Sequence, residues 1–382
     1  MKIAVVYHYF AHYREPVLSE LIKKSKENGD EIKFIADNIS NEPNLKLYNF
    51  DGYKENVQLV KNIWVKKFLW QKGLISYLFK YSPDTIVFLG QFNFLSTWIA
   101  SIFFRVLGKR ILFWGHGVYG SETGLKKLVR DCFNRLPHVY MTYGEYARNL
   151  MLKRSGNVNI RAIYNSLNVR EQNILYKKLA SSKENQRDDY VFDKNRTNLI
   201  FVGRLTSVKK INLIIEAINK LNSKNYNLLI VGSGPEEMAL RKLVSNFGLE
   251  ENVTFMGAIH DEIKLSWLIY NSDICVSPGN VGLTAMHALV YGTPVITNDD
   301  FSHQMPEFES IQDNINGSFF KVNDIDSLAE KIELWRRKII SNGRDDIRVF
   351  CREPILKKFN PENQAQLIYM EVMRDDTFYK KK

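Results

Sequence analysis

The sequence predicts an α/β protein of two halves, each a parallel sheet with helices on both faces. Three observations carry this. Short apolar runs alternate with helical patterns along the whole 382-residue chain. The alternation breaks once, over the polar stretch KKLASSKENQRDDYVFDKNR (177–196). It then starts again with fresh strand-like runs. The simplest division is a first half of 1–175, a linker over 176–196, a second half of 197–358 and a closing segment of 359–382. In such sheets ligands sit at the C-terminal ends of the strands. Two halves facing each other would enclose a cleft.

The elements follow in order. KIAVVY (2–7) reads as a strand, followed by an amphipathic helix around Pro16 to Lys26. EIKFIA (31–36) is the second strand. VKNIWVKKFLWQKGLISYLFKY (60–81) interleaves lysines with aromatics. It fits an anionic membrane surface and equally an amphipathic helix with its aromatic face in the core. TIVFLGQFNFLSTWIASIFF (85–104) carries no charge, yet Gly90, Gln91 and Asn93 interrupt it. The expectation is a buried strand, a loop and a buried helix rather than a membrane span. RILFW (110–114), HVYMT (138–142) and RAIY (161–164) complete the first sheet. NLIFVG (198–203), NLLIVG (227–232), NVTFMG (252–257), DICVS (273–277), PVIT (294–297) and GSFFKV (317–322) make the second. FNPENQAQLIYMEVM (359–373) is a helix starting near Pro361. A basic tail, Lys380–Lys382, ends the chain.

Composition narrows the function classes. Hydrophobic residues make up 45% and charged residues 25%, as in a globular chain. The net charge of +11 favours an anionic partner. No basic low-complexity arm or RNA-binding signature is present, so nucleic acid is not expected. Three scattered cysteines form neither a disulfide framework nor a metal cluster, and MKIAVVYHYF lacks a signal-peptide core. A cytoplasmic setting fits.

Three loops carry the chemistry. In FVGRLTSVKK (201–210) a strand ends at Gly203, and Arg204 and Lys209 follow across a short turn. Two cations at a strand end suit a diphosphate, although a solvated basic loop would look the same. In VGSGPEEM (231–238) Gly232 opens a tight turn, with Pro235 suited to a first helical turn. In SPGNVGLTAMHALVYGTPVIT (277–297) a Gly-rich turn opens a helix near Gly282. The amides of Gly282, Leu283 and Thr284 would then point above the sheet, where a phosphate fits.

Together these loops resemble glycosyltransferase family 4, which has the GT-B fold: two Rossmann-like domains with a facing cleft and a C-terminal helix crossing back to the first. The order "GRL" with Lys209 five residues on, "VGSGPEE", "NVTFMG", then "DICVSP…GL…ALVYGTPVI" matches, and ESIQDNINGSFF (309–320) resembles the run that begins with Glu309. The first half is similar more loosely, through SPDTIVFLGQFNFLSTWIASIFFRVLGKRILFWGHG (82–117). There His116 stands at a strand end between two glycines.

The resemblance implies a retaining, metal-independent hexosyl-type transferase with a nucleotide-sugar donor and no resident cofactor. Arg204 and Lys209 would neutralise the departing diphosphate. Gly232, Gly279, Asn280, Gly282 to Thr284, His287 and Glu309 would line the donor site, and His116 would stand near the transferred sugar. The acceptor, a saccharide or a lipid-linked one, would lie against the first half. The implied setting is surface polysaccharide or lipopolysaccharide synthesis, with peripheral attachment to the inner face of the plasma membrane.

Departures are equally informative. Where the family has two glutamates, contacting donor sugar and ribose, this chain has Gly279 and His287. Gly279 is expected to leave open space, and His287 to offer one hydrogen bond where a carboxylate accepts two. The usual glycine pair after the first strand is replaced by HYFAHYREP (8–16), which brings His12 and Arg14 toward the acceptor side. Asp324-Ile325-Asp326 reads as a helix cap rather than a metal motif. An inactive nucleotide-sugar-binding scaffold and a GT-B-fold epimerase remain as alternatives.

Overall fold

A computed structural model describes residues 1–41, 45–118, 122–155, 159–181 and 191–374. The chain forms two compact units, Met1–Asn168 with Asn360–Lys382, and Val169–Phe359.

In the first unit the elements run β1 (Lys2–Val6), α1 (Glu15–Glu27), β2 (Glu31–Ala36), β3 (Val57–Leu59), β4 (Lys61–Val65), β5 (Phe68–Lys72), α2 (Leu74–Tyr81), β6 (Thr85–Leu89), α3 (Leu95–Val106), β7 (Arg110–Gly115), α4 (Gly124–Asn134), β8 (Val139–Thr142), α5 (Glu145–Ser155) and β9 (Asn159–Ala162). Seven strands form one sheet in the order β3-β2-β1-β6-β7-β8-β9, with every pairing parallel. The two-residue period of a strand decides the core. Val5, Phe34, Trp114 and Met141 point to one face; Val6, Ile35, Phe113 and Tyr140 point to the other.

The second unit begins with α6 (Val169–Ser181). It continues through β10 (Thr197–Val202), α7 (Asn212–Lys220), β11 (Tyr226–Val231), α8 (Glu237–Asn246), β12 (Val253–Gly257), α9 (Glu262–Asn271), β13 (Ile274–Ser277), α10 (Leu283–Val290), β14 (Val295–Asn298), β15 (Gly317–Phe320), α11 (Ile325–Asn342) and α12 (Arg344–Lys357). Its parallel sheet has the order β12-β11-β10-β13-β14-β15. Strand order therefore reverses between the parallel neighbours β10 and β13, and a crevice opens above their C-terminal ends. Side chains cap the helices where the sequence places acids: Asp261 accepts from the Lys264 amide and Asp324 from the Ser327 amide. The 324–326 triplet thus includes a helix cap.

The last helix, α13 (Pro361–Met373), belongs to the first unit and packs along α1. Asn360 caps it, and Pro361 suits its first turn. Ala365, Ile368 and Val372 enter the core beside Val17 and Leu21. Gln364 accepts from the Ser166 hydroxyl at 2.6 Å and donates to the Tyr164 carbonyl.

Four readings differ from this fold or fall partly outside it. Residues 60–81 are not one amphipathic helix: β4 and β5 pair antiparallel as a hairpin before the short α2. A period-2 alternation was hidden among the aromatics. The helix after β6 is not buried on its apolar side, because Ile99, Ile102 and Val106 face solvent. Residues 169–181 form α6, which packs on α9 and α10, while 182–190 of the linker lie outside the described residues. The tail Lys380–Lys382 also lies outside them.

Ile368 is 1% exposed in the core that α13 shares with the sheet. Ile368→Ala should cost about 3 kcal/mol of first-unit stability. Urea denaturation measures it; a loss below about 1 kcal/mol would show that the helix is only loosely docked.

Candidate functional site

The crevice of the second unit is built from the turns after β10 and β13, and these turns interlock. The Gly279 amide donates to the Lys209 carbonyl at 3.0 Å, and Lys209 Nζ donates to the Asn280 carbonyl at 2.7 Å. Below them the buried Gln304 accepts from the Val281 amide at 2.6 Å and donates to the Gly279 carbonyl at 3.2 Å. Asn298 Nδ2 donates to the carbonyls of Pro278 and Gly279. Thr284 Oγ1 donates to the Val202 carbonyl at 3.1 Å and ties the first turn of α10 to the end of β10. The crevice floor is therefore held by hydrogen bonds before any ligand arrives.

What this floor presents is positive. The Arg204 side chain is exposed and makes no hydrogen bond or ion pair among the described residues. The amides of Gly282, Leu283 and Thr284 open α10 with no carbonyl or side-chain acceptor among those residues. Lys209 is partly buried, and burial lowers its pKa while the nearby Glu307 carboxylate pulls it back up. Sequence reading missed Glu307, which is buried in the turn Pro306–Ser310. Glu309 lies in the same turn, which packs against α10. Among the described residues no cluster of His, Cys, Asp or Glu is arranged to hold a metal ion.

Gly232 sits where the turn after β11 meets the turn after β10. A Cβ there would lie 1.8 Å from the Gly203 carbonyl oxygen. Gly234 is equally constrained, at 2.3 Å from the Leu205 oxygen. These glycines let two turns pack; neither opens space for a ligand.

The first unit carries the other predicted residues. His116 follows β7, with its ring 4.8 Å from that of Tyr143. Burial, Arg14 and Arg130 push its pKa down to about 4, so the imidazole is neutral at physiological pH. Arg14 donates to the Tyr143 hydroxyl and stacks among the rings of Tyr7, Tyr13, Trp114 and Tyr143 at 5.2 to 5.6 Å. Burial would lower the Arg14 pKa, but Tyr143, Tyr7 and Tyr13 outweigh it and the net shift is upward. No carboxylate among the described residues pairs with this guanidinium. His8, missed in the sequence, lies at the end of β1 and is also pushed down to about 4 by burial and Arg14. A small cavity beside His116 is lined by Arg130 and by Asn134, whose Nδ2 is buried without a partner. His12 is an exposed residue 3.8 Å from Glu15 and takes no part in this cluster.

Residues 182–344 match the family described as Glycosyl transferases group 1. This stretch, somewhat less than half of the chain, is similar to that family. An uncharacterized glycosyltransferase of Methanocaldococcus jannaschii is 29% identical over 198 residues, 49% of each chain. N-acetyl-alpha-D-glucosaminyl L-malate synthase of Bacillus anthracis is 24% identical over 267 residues, 68% of this chain and 66% of that one. The chain thus spans about half to two thirds of the length of these relatives. Anabaena HepE, solved in complex with UDP, superposes with a TM-score of 0.70 at 15% identity, over 97% of this chain and 99% of that one. The fold is GT-B, as the sequence resemblance implied.

Within the second unit the two substituted glutamate positions have separate physical explanations. Gly279 does not leave open space. A Cβ there would stand 2.0 Å from the Val208 carbonyl oxygen and 2.6 Å from Lys209 Cα. The turn after β10 occupies the volume a side chain would need. His287 is occupied: its Nε2 lies 2.9 Å from Glu262 Oε1, which also accepts from the Tyr291 hydroxyl at 2.6 Å. Burial works against the Glu262 anion, but His287, Tyr291 and Gln172 outweigh it and its pKa falls. A carboxylate is therefore present beside position 287, supplied by α9. Its only sequence signal was an acid at the start of a capped helix.

Two outcomes follow. Gly279→Glu should not restore a family-like site; it should lower the melting temperature, and a variant as stable as the parent would contradict the packing described. His8 and His116 resist protonation down to about pH 4, whereas the unfolded chain takes up those protons near pH 6.5. Stability should fall as pH drops through that window. His116→Asn should remove about one proton's share of the slope in urea melts at pH 6.5, 5.5 and 4.5; an unchanged slope would rule the assignment out.

Proposed function

We propose that the chain is a retaining hexosyl-type glycosyltransferase that moves a sugar from a nucleotide-sugar donor to a saccharide or lipid-linked acceptor. The observation that carries this is the cation and amide set of the second unit. The Arg204 side chain is unpaired among the described residues, Lys209 is fixed over the turn, and the free amides of Gly282 to Thr284 open α10 at the same crevice. Charge develops on the diphosphate as the glycosidic bond breaks. Donors already in place stabilise that charge without reorganising. Arg offers a two-pronged face and Lys a compact charge, so the side chains themselves can supply the positive charge and a metal-independent reaction is proposed. The UDP bound by Anabaena HepE supports a nucleoside diphosphate leaving group.

His116 enters as a neutral group in this reading. It would hydrogen-bond the reacting sugar or orient the acceptor, and it would not act as a cationic acid near pH 7. Arg14 adds a fixed charge beside it. The family resemblance supports placing the protein in surface polysaccharide assembly, working in the cytoplasm or at the inner face of the plasma membrane. No helix among the described residues is long and apolar enough to cross a membrane.

Transfer assays with UDP-, GDP- and dTDP-sugars test the proposal. Arg204→Ala and Lys209→Ala should each lower kcat/KM by about 10²–10³-fold, and by more than His287→Ala. Nucleotide binding without turnover on any acceptor would support an inactive scaffold. Reversible isomerisation of a donor alone would support an epimerase.

A further inference from the structure

Helix α3 is inside out. Its buried face carries Ser96, Thr97, Ala100, Ser101 and Phe104, and Ser96 and Ser101 are 0% exposed. Its solvent face carries Leu95, Ile99, Ile102, Phe103 and Val106, with Ile102 50% and Val106 81% exposed. The spacing of i, i+4, i+7, i+8 and i+11 makes these one continuous stripe. An ordinary surface helix turns such a stripe inward. A large exposed apolar patch marks an interaction surface.

The hairpin β4–β5 adjoins the start of α3. The Leu69 amide donates to the Asn93 carbonyl, the Gln71 amide to Ser96 Oγ, and Asn93 Nδ2 to the Lys67 carbonyl. The hairpin alternates as strictly as the helix. Asn62, Trp64, Leu69 and Gln71 turn inward, while the cross-strand pairs Ile63–Trp70 and Val65–Phe68 are exposed. Lysines bracket those pairs. Lys61 stands opposite Lys72 at one end, and Lys66 and Lys67 form the tip. Like charges directly opposite each other weaken a sheet pair. Lys66 also holds φ at 54°, a conformation that favours Gly or Asn. None of these four lysines has an ion pair among the described residues. Between Glu55 and Glu122 the sequence has a single acid, Asp84, against eight Lys and Arg.

We propose that the outer faces of the β4–β5 hairpin and α3 form one docking surface for an anionic lipid bilayer. Apolar and aromatic side chains enter the acyl boundary, and the bracketing lysines meet anionic headgroups. Trp70 fits the water–lipid interface, where an amphipathic ring is favoured. Charge selects a bilayer over an apolar protein partner: a second copy of the chain would bring an equally basic surface against this one and be repelled. This inference names the membrane-contacting side of the first unit, and it stands on exposure and charge independently of the donor chemistry.

The test is co-sedimentation of the full chain with vesicles of phosphatidylcholine containing about 30% phosphatidylglycerol, against phosphatidylcholine alone. Binding should be about tenfold stronger to the anionic vesicles and should weaken in high salt. Ile102→Glu with Val106→Glu should abolish it through the apolar stripe. Lys66→Glu with Lys67→Glu should remove the salt-sensitive part. All four positions are exposed, so folding is preserved, and melting temperature and UDP titration should match the parent. Equal binding to both vesicle types, or unimpaired binding by the α3 variant, overturns the proposal. So does a dimer in sedimentation velocity that the α3 variant dissolves while the parent ignores vesicles. Failure of the parent to bind any of UDP, GDP and dTDP would instead count against the transferase reading and leave this one intact.

Discussion

The second unit depends on one close approach: the turn after β13 lies directly on the turn after β10. Gly279 makes it feasible, because any side chain there would strike the backbone at Val208 and Lys209. The contact brings Lys209 Nζ over the Asn280 carbonyl and leaves the Arg204 side chain exposed, with no ion-pair partner among the described residues. Gln304 and Asn298 support the turn from beneath. The crevice thus has fixed donors aimed where anionic charge would sit, with little reorganisation left to do. The glycine that removes a family acid is also the residue that packs this floor.

A similar economy appears at position 287. The group accepting hydrogen bonds there comes from a different helix, α9, through the Glu262 carboxylate. In the first unit the chemistry is organised by a cation instead. Arg14 stands among four rings and adds to the burial that keeps both His8 and His116 neutral. Its place in the sequence is where a glycine pair was expected. The replacement puts a caged charge where open backbone was expected.

The parallel sheets were legible because their strands are buried on both faces and read as unbroken apolar runs. The three loops of the second half were legible because glycine, proline and cations stand at fixed offsets after those runs. The hairpin at 61–72 was not, since each strand is only five residues long and its aromatics occur on both faces. The exposure of α3 was not either. Its sequence is apolar nearly all round, and a stripe of that kind usually faces a core. Only packing shows that the small residues Ser96, Ala100 and Ser101 take the inner side.

The sequence by itself determined the two-sheet α/β architecture, the cations Arg204 and Lys209, the helix-opening turn and the absence of the two glutamates. These depend on residue type and local spacing, which periodicity and backbone preference make readable. Tertiary structure alone decided that Gly279 is filled by backbone rather than open. It also decided that Glu262 stands against His287, that burial beside Arg14 keeps His116 neutral, and that α3 turns its apolar stripe outward. Each is a meeting of groups far apart in the chain, and such meetings are set by how the elements pack rather than by any local pattern.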